Sequence, residues 1–434
     1  MQTIFIFCTR PRLLNTLEII ALGAARQVGR SAFLVKSRDK GILLDFGVQM
    51  GREPSFPLHV QPKEVQAVIL SHAHLDHSGA APMQFLNKEM EMHTTSVTTE
   101  LTQLLIEDFL KLSGRYLTYE HMDLISMVKR TTNHPYQEPF SVGGFTITFF
   151  DAGHIPGSAS MIIEADGKRL LYTGDVNGEG SNLLNGAYTN FGELDAVITE
   201  STYATANHPT REEVEEDFVG YAREIVENGG ILLVPAFAVG RAQEIACVLE
   251  RANFQFPIAM DGMALKTNEI LFRHTEFLKD PTLYRRSIEH CELVKGWEQR
   301  RAVVRTPSVI IAPAGMLVGG SAAFYMGEIA GNPKNGVAIV AFQVPGTPGR
   351  SLLDKGLAII DGKPRRVKAQ VRRFDFSSHS GRNHLLEMFR SIKGNPKVLP
   401  VHGESEACIA LADEMKTTFG FEAEAPEPGA RFLV

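Results

Sequence analysis

Six short apolar runs in this chain each lead into a histidine, an aspartate or a glutamate, and this pattern constrains the fold most. The acids and histidines at the ends of these runs are Asp45, His72, His154, Asp175, Glu200 and His402. Apolar, β-branched runs bounded by Gly, Asp or Pro are typical of buried strands. In α/β folds the functional crevice lies beyond the carboxyl ends of the strands. The pattern therefore predicts a sheet-based protein in which several strand ends supply a polar site.

Helical periodicity separates several of these runs, which makes the chain an α/β protein with layered sheets and outer helices. The clearest helical segments are Thr98–Leu112, Arg211–Glu227, Gly240–Ala252 and Ser405–Thr417. The predicted strands are Leu17–Leu22, Ala32–Lys36, Ile42–Phe46, Ala67–Leu70, Phe145–Phe150, Met161–Glu164, Arg169–Tyr172, Ala196–Thr199, Ile231–Val234, Val309–Ala312, Val337–Phe342 and Val398–Val401.

Composition excludes several classes of protein. With 434 residues, 44% hydrophobic and 22% charged, the chain has ordinary globular composition and enough apolar residues for a large core. A net charge of −6 argues against a protein that coats nucleic acid by overall charge, so a nucleic acid would have to meet a local basic patch. No run approaches the ~20 apolar residues of a membrane span. The 4 cysteines form no disulfide framework. We therefore expect a soluble, cytoplasmic protein without a membrane partner.

The densest group of chemically active side chains lies in the segment Ser71–Gly79. Three imidazoles and one carboxylate fall within six residues, at His72, His74, Asp76 and His77. Imidazole and carboxylate ligands at this density suit zinc or a similar divalent ion. The spacing allows His72 and His74 to serve one ion while Asp76 and His77 serve a second. The alternative interpretation is a surface histidine cluster or a satisfied polar turn.

This segment resembles the HxHxDH signature of metallo-β-lactamase-fold hydrolases, which implies a four-layer αβ/βα fold and two Zn²⁺ ions per chain. The resemblance implies that one zinc is held by His72, His74 and His154. It implies that the second is held by Asp76, His77 and a later histidine, His402, with Asp175 bridging the two ions. Asp45 matches the acid that orients a ligand in that fold, since a ligating imidazole needs an acceptor for its other N–H.

Within that fold the chain resembles the β-CASP nucleases. Glu200–Tyr203 resembles motif A, Asp375–Gly381 motif B, and Val401–Glu404 motif C. The family places an inserted α/β domain between motifs A and B. The implied division is a metallo-β-lactamase domain at 1–203, a β-CASP domain at 204–370, and a return to the first domain at 371–434. The resemblance is strongest to archaeal homologues of the endonuclease subunit of the cleavage and polyadenylation specificity factor, in a form without KH domains.

Motif C indicates the substrate. Family members that act on RNA resemble this chain in carrying a histidine there, His402, whereas members that act on DNA carry a valine. The resemblance therefore favours RNA over DNA. The segment Met1 to Arg12 matches nothing in the family.

These features suggest a zinc-dependent ribonuclease that cleaves single-stranded RNA, most simply as an endonuclease in RNA processing or decay. In this hypothesis a metal-bridging hydroxide attacks phosphorus and leaves a 3′-hydroxyl and a 5′-phosphate. His379 is the candidate general acid for the leaving oxygen, and Glu200 holds and charges its imidazole. Asp76 is grouped with them as a catalytic residue.

Cations near the catalytic motifs are candidates for contacts with the RNA backbone. Six lysines and arginines lie in the eleven residues from Lys363 to Arg373, which indicates either a backbone track or a solvated strand edge protected by charge. The RNA-binding candidates are Arg241, Arg350, Lys368, Arg372 and Arg373. A homodimer is a further possibility.

Four alternatives remain open from the sequence. One is a 5′-to-3′ exoribonuclease of the RNase J type, and another is a small-molecule metallohydrolase of the same fold. Glu200, His379 and the long insertion argue against a small substrate. A scaffold without activity is the third, although every ligand position is filled. A DNA nuclease is the fourth, and His402 disfavours it.

Overall fold

The computed structural model describes residues 16–51, 53–86, 90–360 and 362–434. The segment Met1 to Arg12, which has no family match, lies outside the described residues. Within them, no helix has the length and apolar character needed to cross a membrane.

The first sheet is built from the amino-terminal part of the chain. Its first six strands are β1 (Leu17–Ala21), β2 (Phe33–Ser37), β3 (Lys40–Leu44), β4 (Ala67–Ile69), β5 (Glu91–Thr94) and β6 (Thr131–Asn133). The strands β1 to β3 run antiparallel, and β3 to β6 run parallel. Its connecting helices are α1 (Leu75–Ser78), α2 (Ser96–Ser113) and α3 (His121–Lys129).

A second sheet follows directly along the chain. It contains β7 (Pro139–Val142), β8 (Phe145–Asp151), β9 (Ala159–Ala165), β10 (Lys168–Tyr172) and β11 (Ala196–Glu200). The strands β7 to β10 form an antiparallel meander, and β11 lies parallel to β10.

The third sheet is parallel throughout, in the order β14-β13-β15-β12-β16-β19. Its strands are β12 (Ile231–Ala236), β13 (Ile258–Asp261), β14 (Cys291–Val294), β15 (Ser308–Pro313), β16 (Gly336–Ile339) and β19 (Gln370–Arg373). A separate hairpin is formed by β17 (Leu357–Ile360) and β18 (Lys363–Arg366). The helices of this part are α4 (Arg211–Glu227), α5 (Arg241–Arg251), α6 (Met263–Leu271), α7 (Pro281–Glu289), α8 (Trp297–Val303), α9 (Gly320–Ile329) and α10 (Pro348–Lys355).

The last segment of the chain returns to the first two sheets. Its elements are α11 (Arg382–Ser391), β20 (Lys397–Val401), α12 (Ser405–Glu414) and β21 (Arg431–Leu433). The strand β20 pairs parallel with β11, and β21 pairs antiparallel with β1. The division at 1–203, 204–370 and 371–434 stays a prediction. The third sheet itself extends to Arg373.

Apolar side chains define four layers. One core lies between the first two sheets and joins Phe33 and Ile69 to Phe149 and Ile163. A second core packs the outer face of the first sheet on α2 and α3. A third packs the outer face of the second sheet on α11 and α12. The order helix, sheet, sheet, helix confirms the four-layer αβ/βα prediction.

The third sheet is buried on both faces, as expected of a parallel sheet covered by helices. Leu232 and Ile311 face one core, which includes residues of α4 and α5. Leu233 and Ile310 face the other, which includes residues of α9. The predicted strand Val337–Phe342 is longer than the observed β16. Phe342 lies beyond its end and is 52% exposed.

We expect Phe149→Ala to destabilise the protein by about 3–5 kcal/mol, because it opens a cavity between the two sheets. The measurement is the free energy of unfolding in urea. Phe342→Ala removes the same ring from an exposed position, so it should change that free energy by less than about 0.5 kcal/mol. Equal effects of the two substitutions would contradict the layered core.

Candidate metal centre

The carboxyl ends of six strands deliver their polar residues to one place. These residues follow β3, β4, β8 and β10, end β11, and follow β20, and they are Asp45, His72, His154, Asp175, Glu200 and His402 respectively. The ligand atoms of His72, His74, His154 and Asp175 all lie within 4.8 Å of one another. Those of Asp76, His77 and His402 form a second group, of three residues, within the same distance limit. The structure therefore brings together every metal ligand that the resemblance implied.

Asp175 lies between the two groups. Its Oδ2 is 3.6 Å from Nε2 of His72 and 3.6 Å from Nε2 of His154. Its Oδ1 is 3.2 Å from Nε2 of His77 and 3.2 Å from Nδ1 of His402. One carboxylate thus faces two pairs of imidazoles, which is the arrangement that a bridging ligand needs.

Asp45 contacts His77 of the second group directly and reaches His72 of the first group through Ser71. Its Oδ1 accepts the backbone N–H of Ser71 at 2.7 Å. Its Oδ2 accepts hydrogen bonds from the Ser71 hydroxyl at 2.7 Å, from His77 Nδ1 at 2.7 Å and from the Tyr172 hydroxyl at 2.6 Å. Since the Ser71 hydroxyl donates to Asp45, its oxygen is free to accept from His72 Nδ1, 3.0 Å away. The Nε2 atoms of both imidazoles then face Asp175, at 3.6 Å for His72 and 3.2 Å for His77.

The loops around this acid approach each other closely. Asp45 adopts a left-handed backbone conformation with φ of 57°, which aspartate tolerates better than most residues. A Cβ at Gly47 would lie 1.8 Å from the backbone oxygen of Asp76, so only glycine fits against the metal-binding segment. Phe46 N–H donates to the His77 carbonyl at 2.8 Å and secures the same contact.

Burial lowers the pKa values of most of these imidazoles, which keeps them neutral and able to bind a cation. It lowers the pKa of His74 to about 4, and it lowers the pKa values of His72 and His154 well below their usual range. Burial also opposes protonation of His77, but the carboxylates of Asp175 and Asp45 outweigh it and raise the pKa of that imidazole. Neutral imidazoles and ionised carboxylates are the forms that bind metal.

Two buried atoms indicate whether the residues present suit a bound metal ion. His72 Nε2 and Asp175 Oδ1 have no hydrogen-bond partner, although unsatisfied buried polar atoms are costly. His154 donates Nδ1–H to the Ser378 carbonyl at 2.7 Å, which leaves the lone pair of its Nε2 facing His74 Nδ1 at 3.0 Å. A cation satisfies these inward-facing acceptors together, so the residues present fit divalent metal.

His379 and Glu200 form a third group beside the other two. Both oxygens of the buried Glu200 lie 3.0 Å from His379 Nδ1, and Oε1 also accepts the Val176 N–H at 2.7 Å. The His379 ring lies 4.6 Å from that of His154 between centroids. Burial lowers the pKa of His379, but the charge of Glu200 overcomes it and raises the value to about 9.

His208 is a residue that the sequence did not reveal. Its Nδ1 lies 3.0 Å from Asp375 Oδ2, and its Nε2 lies 3.1 Å from the backbone oxygen of His379. It therefore supports the loop that carries His379. A single histidine in the segment before α4 shows no spacing pattern, and its partners are more than 160 residues away, so sequence periodicity held no signal for it.

The predicted RNA contacts lie in different places. Arg241 begins α5, is 8% exposed, and its Nη2 lies 3.4 Å from Ser378 Oγ at the metal centre. Arg350 pairs with Asp354, and Arg372 forms a bidentate pair with Asp217. Lys368 precedes β19, at the amino edge of the third sheet, and Arg373 ends that strand. Arg241 is brought to the cluster, and Arg373 lies within electrostatic range of Asp375 and Tyr203 beside it.

The chain has a four-layer αβ/βα fold with two adjoining His/Asp groups at its strand ends. A parallel α/β sheet is inserted between strands of the second sheet. These features define a metallo-β-lactamase-fold protein of the β-CASP type. Family models match along most of the chain. They are described as the Beta-Casp domain at residues 242–352, the Zn-dependent metallo-hydrolase RNA specificity domain at 364–426, and the anti-Pycsar protein Apyc1 at 19–215.

Relatives extend the match over almost the whole chain. RNase aCSPSF2 of Saccharolobus solfataricus is 39% identical and covers 94% of this chain and 83% of its own length. Probable RNase MJ4 of Methanocaldococcus jannaschii is 32% identical over 96% and 100% of the two chains. Transcription termination factor FttA of Thermococcus kodakarensis is 31% identical over 94% and 70%.

The chain belongs to the β-CASP family, among the archaeal relatives of the cleavage and polyadenylation specificity factor. A crystal structure of a protein of unknown function from Enterococcus faecalis shares the fold, with a TM-score of 0.64 and 14% identity over 96% of this chain and 100% of that one. The zinc-dependent domain match and the clustered ligands agree that the site binds metal.

We expect Asp45→Asn to weaken zinc binding by about 10- to 100-fold, because an amide cannot accept all the hydrogen bonds that fix His77 and Ser71. Competition titration against a chromophoric chelator measures this affinity. Asp413→Asn, at the exposed pair with Lys416, is the matched control and should bind zinc as tightly as the original protein. An unchanged affinity in Asp45→Asn would show that this acid does not orient the ligands.

Proposed function

We propose that this protein is a di-zinc endoribonuclease that cleaves single-stranded RNA and leaves a 3′-hydroxyl and a 5′-phosphate. The single observation that carries the proposal is the contact between Glu200 and His379 beside a complete double ligand set. A hydrolase for small molecules needs no separate acid of this kind. The relatives named as RNases support RNA as the substrate class.

The proposed ligand sets follow the two groups of residues. His72, His74 and His154 would hold one ion, Asp76, His77 and His402 would hold the other, and Asp175 faces both groups of residues. Two divalent ions supply a nucleophile at neutral pH and neutralise charge on the attacked phosphate. Asp45 acts on the ligands through Ser71 and His77. Residues 204–370 are proposed as the inserted domain that, with 1–203 and 371–434, encloses the substrate.

His379 is the proposed general acid. Its Nδ1–H is directed at Glu200, so Nε2–H is the proton available to a leaving 3′-oxygen. The side chain is 20% exposed, which leaves one edge of the ring open to the cleft. A pKa of about 9 keeps the imidazole protonated at neutral pH. Asp76, whose side chain is 29% exposed, faces the same opening and is grouped with the catalytic residues.

Arg241 is the proposed contact to the RNA backbone at the cluster. Arg350, Lys368, Arg372 and Arg373 stay predictions, and two of them already have carboxylate partners. A homodimer also stays a prediction.

The proposal is tested by incubating the purified protein with a 5′-labelled single-stranded RNA and a DNA of the same sequence. We expect internal cuts in the RNA, inhibition by a chelator, and loss of at least about 100-fold in rate in His379→Ala, as for removal of a general acid. Mononucleotides released from the 5′ end would move the protein to the exonuclease class. No RNA cleavage by a protein with two bound zinc ions would contradict the proposal.

The pH dependence of the rate has a definite sign. A general acid must be protonated, so the turnover number should fall as pH rises through the pKa of His379. Glu200→Gln removes the charge that raises this pKa, so the falling limb should move to lower pH. Glu212→Gln, an exposed acid on α4, is the control and should leave the limb in place. A limb that does not move in Glu200→Gln would show that another group donates the proton.

A further inference from the structure

Two arginines beside the metal cluster lack a carboxylate partner. Among the described residues, no aspartate or glutamate oxygen lies within ion-pair distance of the guanidinium group of Arg211 or Arg241, and Glu179 accepts the backbone N–H of Arg211 at 3.3 Å. The Nε atoms of both side chains are buried without a hydrogen-bond partner. A buried charge without a partner costs free energy that a fold retains only where something compensates it.

Nearby acids are engaged elsewhere. Glu244 accepts the backbone N–H groups of Asn182 and Leu183 at 3.1 and 2.8 Å, and Glu215 accepts from the Asn182 side chain at 2.7 Å. Asp375 faces His208. Burial and the neighbouring charge of Arg211 together lower the pKa of Arg241 to about 10, so the two cations repel each other while the guanidinium stays charged.

Both arginines line one small pocket that opens from the metal cluster. His74, His154, Phe237 and Ser378 form the wall on the cluster side. The space in it that the centre of a water molecule can reach is about 30 Å³. The Arg211 guanidinium lies over the Phe376 ring at 5.3 Å, and Gly240 places Arg241 at the first turn of α5.

We propose that Arg211 and Arg241 form a subsite for a second phosphate, the internal backbone phosphate next to the one that is cleaved. The inference rests on the proposed function for the position of the cut, but the subsite itself follows from the unpaired cations. Guanidinium groups suit phosphate because their N–H donors match its oxygens. A phosphate compensates both charges and separates them. The pocket thereby sets which linkage lies over the ligands.

The test is a thermodynamic cycle that combines removal of an arginine charge from the protein with removal of a phosphate charge from the RNA. In the His379→Ala background, the Kd of a short RNA is measured by fluorescence anisotropy, with a neutral methylphosphonate placed at each linkage in turn. One position should weaken binding by about 10- to 100-fold, the value of a lost charge-assisted contact. Arg241→Met should weaken binding of the unmodified RNA by a similar factor. In that variant, the methylphosphonate at the sensitive position should weaken binding by less than about threefold further.

Arg211→Met should show the same pattern at the same linkage, and Arg241→Lys should recover part of the affinity. Arg305→Met, which removes an exposed arginine of the same sheet region, is the matched control and should leave the cycle intact. If the losses from Arg241→Met and from every methylphosphonate simply multiply, Arg241 contacts no backbone phosphate and the inference is overturned.

The original protein is then tested for cleavage of the same RNAs with a 5′-phosphate or a 5′-hydroxyl. A cut next to the sensitive linkage, with equal rates for both ends, supports an internal phosphate. Rates that require the 5′-phosphate would assign the pocket to a chain terminus and overturn the inference. Coupling in the binding cycle without any cleavage would contradict the proposed function while leaving the subsite established.

Discussion

The buried carboxylate of Asp45 is the interaction on which the site depends. It lies after β3 in the first sheet and accepts the hydroxyl proton of Tyr172 from β10 in the second, so it joins the two sheets at their carboxyl edges. A fully buried charge is tolerated only when it is well satisfied, and four donors surround this one. The same hydrogen bonds set the orientation of His77 and Ser71. The carboxylate of Asp45 therefore contributes both to the packing of the two sheets and to the orientation of the ligands.

Charge is divided across the cleft. On one side, carboxylates and imidazole lone pairs of the His/Asp groups face inward and attract cations. On the other side, Arg211 and Arg241 leave donors without acceptors and attract anions. The proposed ligands, a phosphodiester backbone and divalent metal, would be complementary to this division.

The insertion takes part in this arrangement through its strand ends. Phe237, after β12, lies 6.3 Å from the His74 ring between centroids, and Gly315, after β15, packs against the Phe237 backbone. The carboxyl edge of the parallel sheet therefore faces the metal cluster, as the position of functional crevices in such sheets requires. The chain between β19 and α11 carries Asp375, Ser378 and His379 back into the cleft. This one loop thus contacts His154 and Arg241 through Ser378 and carries His379 to Glu200.

The sequence alone predicted twelve of the 21 described strands and the residues that cluster at their ends. All twelve predicted strands appear, because apolar runs between Gly, Asp and Pro leave little choice of local structure. The segment from His72 to His77 predicted metal because its ligands are neighbours in the chain. The apolar pattern did not predict the short strands β5, β6 and β7, since each has only three or four residues and mixes polar with apolar side chains.

Only the tertiary structure decided which partners meet across long distances. The pairing of His208 with Asp375, the approach of Arg241 to Ser378 and the hydrogen bonds to Asp45 join segments that no local period relates. It also decided that Arg372 pairs with Asp217 and that Lys368 lies at the far edge of the sheet, although the sequence grouped both with His379. Composition shows how many cations a segment has. Their free energy depends on what surrounds them, and folding alone supplies those surroundings.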